Sequence, residues 1–141
     1  MTTPCPCGRS AAKALNPAKS SQAQPLTFAA CCGRYLDDLS GTPAPDAEVL
    51  MRSRYSAFVL GRRDYLLATW HGSTRPAELT LEPAAKWLGL EVRSQRVQDA
   101  DHAEVEFVAR YREGGRAVRL HERSRFVREQ GRWYYVDGDQ F

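Results

Sequence analysis

Three features of this 141-residue chain predict an α+β fold. All four cysteines fall in its first quarter. The segment from Ala47 to Phe58 repeats apolar side chains at helical spacing, and beyond Gly89 the pattern switches to alternation. The expected architecture is a small N-terminal metal-binding knuckle over residues 1–40, followed by a domain over residues 41–141 in which about three helices pack on a four-stranded antiparallel sheet.

The knuckle rests on Cys5-Pro6-Cys7-Gly8 and Cys31-Cys32-Gly33. Two close cysteine pairs joined by a loop suit a tetrahedral ion, because each pair supplies two sulfurs from one turn of backbone. Gly8 and Gly33 follow the pairs, where a tight turn favours a residue without a side chain. Zinc bound by Cys5, Cys7, Cys31 and Cys32 is therefore the favoured reading. Two disulfides are the first alternative, although adjacent cysteines bridge only with strain. Redox-active thiols are the second, with Arg9 and Arg34 available to lower a thiol pKa, but neither pair has the two-residue spacer of thioredoxin-type motifs. The stretch from Lys13 to Pro25, with two prolines and mostly small polar residues, is expected to be a surface loop without ligands.

The central element is a helix from Pro45 to Gly61. Ala47, Leu50, Met51, Arg54, Tyr55 and Phe58 share one face, Asp46 marks the start, and Gly61 supplies a left-handed residue to close it. Arg52, two positions from Arg54, should look toward water. Asp64 can cap a second short helix carrying Tyr65, Leu66, Leu67, Thr69 and Trp70, which ends at the turn His71-Gly72-Ser73-Thr74. A third short helix is expected over Pro83-Ala84-Ala85-Lys86-Trp87-Leu88, with Gly89 at its end.

From Gly89 the chain reads as sheet. Leu90-Val92 opens the first strand, and Val105, Phe107, Ala109 and Tyr111 mark one face of the second. Glu113-Gly114-Gly115-Arg116 forms a hairpin turn, the third strand runs from Ala117 to Arg128, and the fourth covers Trp133 to Asp137. In the third strand Leu120, Glu122, Ser124 and Phe126 share one face, opposite His121, Arg123 and Arg125. Those three are expected to form a solvated ladder with glutamates such as Glu104, Glu106 or Glu113. Glu122 would be buried and would need a partner such as Arg54 or Tyr55.

Cys5-Pro6-Cys7-Gly8-Arg9-Ser10 followed by Cys31-Cys32-Gly33 resembles the SEC-C zinc motif, with a longer loop between the pairs than most copies have. Together with Leu50-Met51-Arg52-Ser53-Arg54-Tyr55-Ser56-Ala57-Phe58, Thr69-Trp70-His71, Leu120-His121-Glu122, Ser124-Arg125-Phe126 and Trp133-Tyr134-Tyr135-Val136-Asp137-Gly138, it looks like the YchJ family of small bacterial proteins. The resemblance implies a domain similar to nuclear transport factor two: a cone in which a curved sheet curls around the long helix, with a pocket at the open end. Arg54, Tyr55, Trp70, His71, His121, Glu122, Arg125 and Trp133 are the candidate pocket residues. The family brings no established activity with it.

A net charge of +3, from 20 basic and 17 acidic residues, falls to about +1 once four thiolates hold a divalent zinc. That balance, without a basic run, makes nucleic acid the weakest partner class. No apolar run approaches the roughly 20 residues that span a bilayer, so the expectation is a cytoplasmic protein without a membrane partner. Monomer and homodimer fit the sequence equally. The favoured function is a zinc-binding accessory or adaptor protein whose knuckle docks a protein partner. The alternative is an enzyme or binding protein for a small molecule in the cone, with His71 and Glu122 or His121 and Asp137 as acid–base pairs.

Overall fold

The computed structural model describes residues 4–8, 26–38, 41–79, 81 and 85–141. The loop expected between the cysteine pairs, together with Pro83 and Ala84 of the third expected helix, lies outside the described residues. Helix α1 (Gly33–Leu36) follows the second cysteine pair, α2 (Ala47–Leu60) is the long central helix, and α3 (Arg63–Ala68) follows it directly. Strands β1 (Lys86–Asp99), β2 (His102–Glu113), β3 (Arg116–Glu129) and β4 (Arg132–Gln140) form one antiparallel meander in the order β1-β2-β3-β4. The α+β class expected from the sequence is observed.

Helix α2 begins as its residues dictate. The Asp46 carboxylate accepts a hydrogen bond from the Val49 N–H at 2.8 Å, satisfying one of the donors that a helix start leaves unpaired. Gly61 adopts φ 71°, and its N–H returns to the carbonyls of Ala57 and Phe58. Replacing Asp46 with alanine should cost about 1 kcal/mol in urea unfolding while leaving metal content unchanged. An effect below a few tenths of a kcal/mol would contradict the capping role.

The segment expected as a third helix is a strand from Lys86 onward. Trp87 stands opposite Tyr111 in the β1–β2 register, with ring centroids 4.9 Å apart, and Gly89 marks a register shift where a helix end was expected. Cross-strand aromatic pairing and a ladder of backbone hydrogen bonds outweigh the weak helical preference of Ala85-Lys86-Trp87-Leu88. Asp64, expected as the cap, lies two residues past the cap position, which Arg62 holds, and falls in the first turn of α3.

Both later hairpins close on two residues with positive φ, Gly114 and Gly115 (60° and 79°) and then Gln130 and Gly131 (54° and 78°), the geometry that matches strand twist. The sheet's inner face brings Ala103, Val105, Phe107, Ala109, Phe126 and Trp133 against Leu50, Met51 and Tyr55 of α2. The end of α3 is sewn to β4: the His71 N–H donates to the Tyr135 carbonyl at 2.8 Å, and the Tyr135 N–H donates to the Thr69 carbonyl at 2.9 Å. Among the described residues no helix is long and apolar enough to cross a membrane.

Candidate metal centre and ligand cavity

The four cysteine sulfurs lie within 4.8 Å of one another, and all four residues are buried, Cys7 at 0% and Cys32 at 1% exposure. Local backbone hydrogen bonds set this up: the Gly8 N–H donates to Cys5, the Cys5 N–H donates to Leu26, and the N–H groups of Cys31 and Gly33 both donate to the Phe28 carbonyl. Gly33 is required there, because a Cβ would stand 2.7 Å from the Phe28 carbonyl oxygen. Cys7 Sγ and Cys31 Sγ are 3.7 Å apart. A tetrahedral ion with metal–sulfur bonds of about 2.3 Å needs sulfur–sulfur edges of about 3.8 Å, so the donor set fits such an ion. The cysteines are unbridged, which leaves the two-disulfide alternative without support. Hydrogen bonds from Cys31, Cys32 and Cys7 pull the Cys5 thiol far down, whereas Cys32, hydrogen-bonded to Cys31 and Cys5 and deeply buried, is pushed up.

The knuckle is docked on α2. Ser56 Oγ lies 3.6 Å from Cys5 Sγ, and Arg52 donates through Nη1 to the Cys7 carbonyl at 3.2 Å while its Nε bonds Glu48 at 3.0 Å. Arg62 reaches across to the Leu36 carbonyl at 3.1 Å and to the Asp37 carboxylate. Arg52 was expected in water, yet its side chain is only 16% exposed. Burial works against its cation, and the hydrogen bond it donates to Glu48 together with the field of Cys7 more than offsets this, holding its pKa above the usual value. Helix α2 is thus enclosed on two sides, which is why Ser53 and Ser56 are fully buried alongside Leu50 and Ala57.

On the opposite side of α2 the sheet leaves a cavity of about 450 Å³. Its walls join an aromatic and apolar end, with Tyr55, Phe58, Trp87 and Tyr111, to a polar floor formed by Arg54, Glu122 and Ser124. Trp87 packs against Tyr55, Phe58 and Tyr111 with centroids 5.6, 5.7 and 4.9 Å away. Arg54 is 6% exposed, and its guanidinium stacks on Trp70 (5.2 Å) and Tyr135 (4.6 Å). Its Nη1 donates to the Leu66 carbonyl at 2.8 Å and to Thr69 Oγ1 at 2.7 Å. Burial presses its pKa down to about 10, so it stays charged at neutral pH. The Glu122 carboxylate accepts from Ser124 Oγ and, at 3.3 Å, from the Tyr135 hydroxyl. Those residues are the partners of the buried carboxylate, where Arg54 or Tyr55 was expected; Arg54 influences it through space without an ion-pair contact.

Of the residues singled out from sequence, Arg54, Tyr55, Trp70 and Glu122 line this cavity, and His71, His121, Arg125 and Trp133 are not among its lining residues. His71 bonds Glu129 at 2.9 Å and Ser73 at 2.7 Å beyond the end of α3. His121 and Arg125 project from the outer face, because β3 alternates them with the inward Glu122 and Ser124. There His121 bonds Glu106 at 2.7 Å and Arg125 forms ion pairs with Asp137 and Asp139. Neither proposed acid–base pair is assembled, since each histidine is held by a different carboxylate. Trp133 is buried on the inner face and lines a smaller cleft of about 250 Å³ with Leu50, Tyr65 and Thr69. Ser56 and Arg52 were missed as supports of the four-cysteine cluster; two polar residues four apart on the face of α2 away from the apolar stripe were the available signal.

Burial pushes Tyr55 and Tyr65 up to about 12, and burial with the nearby Glu122 charge pushes Tyr135 up as well. Phenols raised in the folded state stabilise it fully below the ordinary pKa of 10.0, and this contribution is lost as pH climbs toward 12. Arg54 acts in the opposite sense between about 10 and its ordinary 12.5, one group against three. Stability should therefore fall above about pH 10, and part of the phenolate absorbance of the six tyrosines should appear only as structure is lost. A single step near pH 10 for all six, with the fold intact, would contradict this burial.

Comparison with known proteins agrees with this geometry. Residues 46–138 match the family described as YchJ, middle NTF2-like domain. The chain is similar to a UPF0225 protein of Polaromonas naphthalenivorans, 73% identical over the full length of both, and to one of Bordetella pertussis, 55% identical over 96% of this chain and 91% of that one. Two solved structures of SEC-C motif containing proteins are similar at 32% identity. The one from Rhodopseudomonas palustris has a TM-score of 0.74 over 84% of this chain and 94% of that one, and the one from Psychrobacter arcticus 0.75 over 95% and 80%.

Proposed function

This chain belongs to the YchJ family, and from that premise we propose that it is a zinc-binding accessory protein that holds a small molecule between α2 and the sheet. The observation that carries this reading is the cavity of about 450 Å³, within the roughly 300–1,000 Å³ of small-molecule sites, with a buried cation at one end and aromatic walls at the other. Its described lining contains neither histidine nor cysteine, and the histidines considered as bases are engaged elsewhere, so binding is favoured over catalysis. Zinc suits four buried thiolates and would act structurally, closing the knuckle onto α2. The test is elemental analysis of the purified protein together with native mass spectrometry. One zinc per chain and a co-purified small molecule lost on Trp87→Ala are expected. Absence of stoichiometric metal would end the zinc assignment, and absence of any small-molecule binding would end the cavity reading.

The second reading, docking of a protein on the knuckle, draws on Pro4, Gly8, Ala29, Ala30 and Arg34, which remain exposed around the buried sulfurs. A partner recovered equally well by intact protein and by the Cys31→Ser/Cys32→Ser variant would remove it.

A further inference from the structure

We infer that the outer face of the sheet, at the end closed by the β2–β3 hairpin, docks an acidic segment of another protein. The strand register carries this inference. Alternation along β1, β2 and β3 turns Trp87, Tyr111 and Leu120 inward and leaves Lys86, Arg110, Arg112 and Arg119 on the outer face, where all four are exposed. Pairing sets Lys86 directly opposite Arg112 and Arg110 directly opposite Arg119. Directly opposed residues have Cβ atoms about 4.5–5.5 Å apart, and like charges at that spacing destabilise a sheet. Glu91 approaches Arg110 at 4.0 Å but is shared with Arg93 at 3.2 Å, so it does not balance four cations in two adjacent rows. Further along the same face the register does the reverse. Arg123 lies between Glu106 and Asp139, and Arg125 between Glu104 and Asp137. There the side chains meet, Arg123 with Glu106 at 3.7 Å and Arg125 with Asp137 and Asp139 at 2.6 and 2.8 Å.

One sheet thus balances its charges in some rows and sets cation against cation in others. Local rules are broken chiefly where a surface serves a function, and the charge wanting here is negative. Arginine's planar fork pairs bidentately with carboxylate and phosphate alike, so the surroundings decide between protein and nucleic acid. The patch is bordered by Glu91 and then by Glu106 and Asp139, and a continuous phosphate chain running past it would be repelled there. Leu88 and Ala117 accompany the cations, so these rows present no ring on which a base could stack. Leu88, 48% exposed at the register shift before Gly89, instead offers an apolar contact to a peptide side chain. An extended segment with carboxylates at alternate residues matches Arg110 and Arg112, two apart on one strand. The cations come from three strands, which is why the chain shows no basic run.

The test titrates the full chain, by fluorescence anisotropy, with a labelled peptide that has glutamate at alternate positions and leucine or threonine between them. Its lysine counterpart and an oligothymidylate of equal charge serve as comparisons. Saturable binding of the glutamate peptide is expected, about tenfold or more tighter than either comparison and weakened by salt. Arg112→Glu/Arg119→Glu should weaken it about tenfold or more, whereas Arg34→Glu/Arg63→Glu, the same change of charge at exposed positions elsewhere, should not. In the free protein the first pair of substitutions turns each cation–cation pairing into one of opposite charge, so its melting temperature should rise by about 1 °C or more. An unchanged or lower melting temperature would remove the premise. Oligothymidylate binding as tightly as the peptide would reassign the patch to nucleic acid, and equal weakening by both double variants would reduce the effect to net charge. No saturable binding of the glutamate peptide would end the inference.

Discussion

Replacing Cys31 and Cys32 together with serine should abolish stoichiometric metal binding and lower the melting temperature by about 10 °C or more, while circular dichroism retains a β-sheet signal below the transition. The size of the effect follows from where the sulfurs sit. They are buried in the same apolar cluster as Leu50, Met51 and Leu66, and the knuckle is bonded to α2 through Ser56 and Arg52 and to the start of α3 through Arg62. Without an ion to gather the sulfurs, the segment around residues 4–8 and 26–38 would come free and uncover one side of α2; the serine hydroxyls would also need partners that a sulfur cluster does not offer. The sheet persists because its ladders and the opposite side of α2 involve none of these residues. An unchanged melting temperature would show that the knuckle contributes nothing to the core. Complete unfolding at ambient temperature would show that no sheet domain survives without it.

Arg54→Met should cost about 2–4 kcal/mol in urea unfolding, the scale of losing buried hydrogen bonds made by a charged group and leaving their acceptors unpaired. The substitution keeps an apolar stem of similar length but removes hydrogen bonds to Leu66 and Thr69, the stacking on Trp70 and Tyr135, and the positive field at Glu122. Pairing it with Glu122→Gln provides a sharper check. If the carboxylate is tolerated in the floor because Arg54 faces it, the double variant should be more stable than the sum of the single losses predicts, by about 1 kcal/mol or more. Strict additivity would mean that the two groups are independent and that Ser124 and Tyr135 alone sustain Glu122.

The sequence by itself determined the features written in local spacing. Cys5, Cys7, Cys31 and Cys32 announced the four-sulfur cluster because ligand pairs and turn glycines are short-range signals. Asp46 and Gly61 bounded α2, and alternation with Gly114-Gly115 located the β2–β3 hairpin, because caps, turns and a two-residue period depend on neighbours in the chain. The tertiary structure decided what depends on residues far apart. Lys86-Trp87-Leu88 became strand because Tyr111 stands opposite. Arg52 turned inward because the Cys7 carbonyl lies 45 residues earlier, and Glu122 found Ser124 and Tyr135 where a helix partner was expected. His71 pairs with Glu129 for the same reason, whereas His121 faces away from the cavity because β3 alternates it with Glu122, and it meets Glu106 there. A side chain's period gives the face of an element it occupies, whereas the group waiting on the other side is set by how the elements pack.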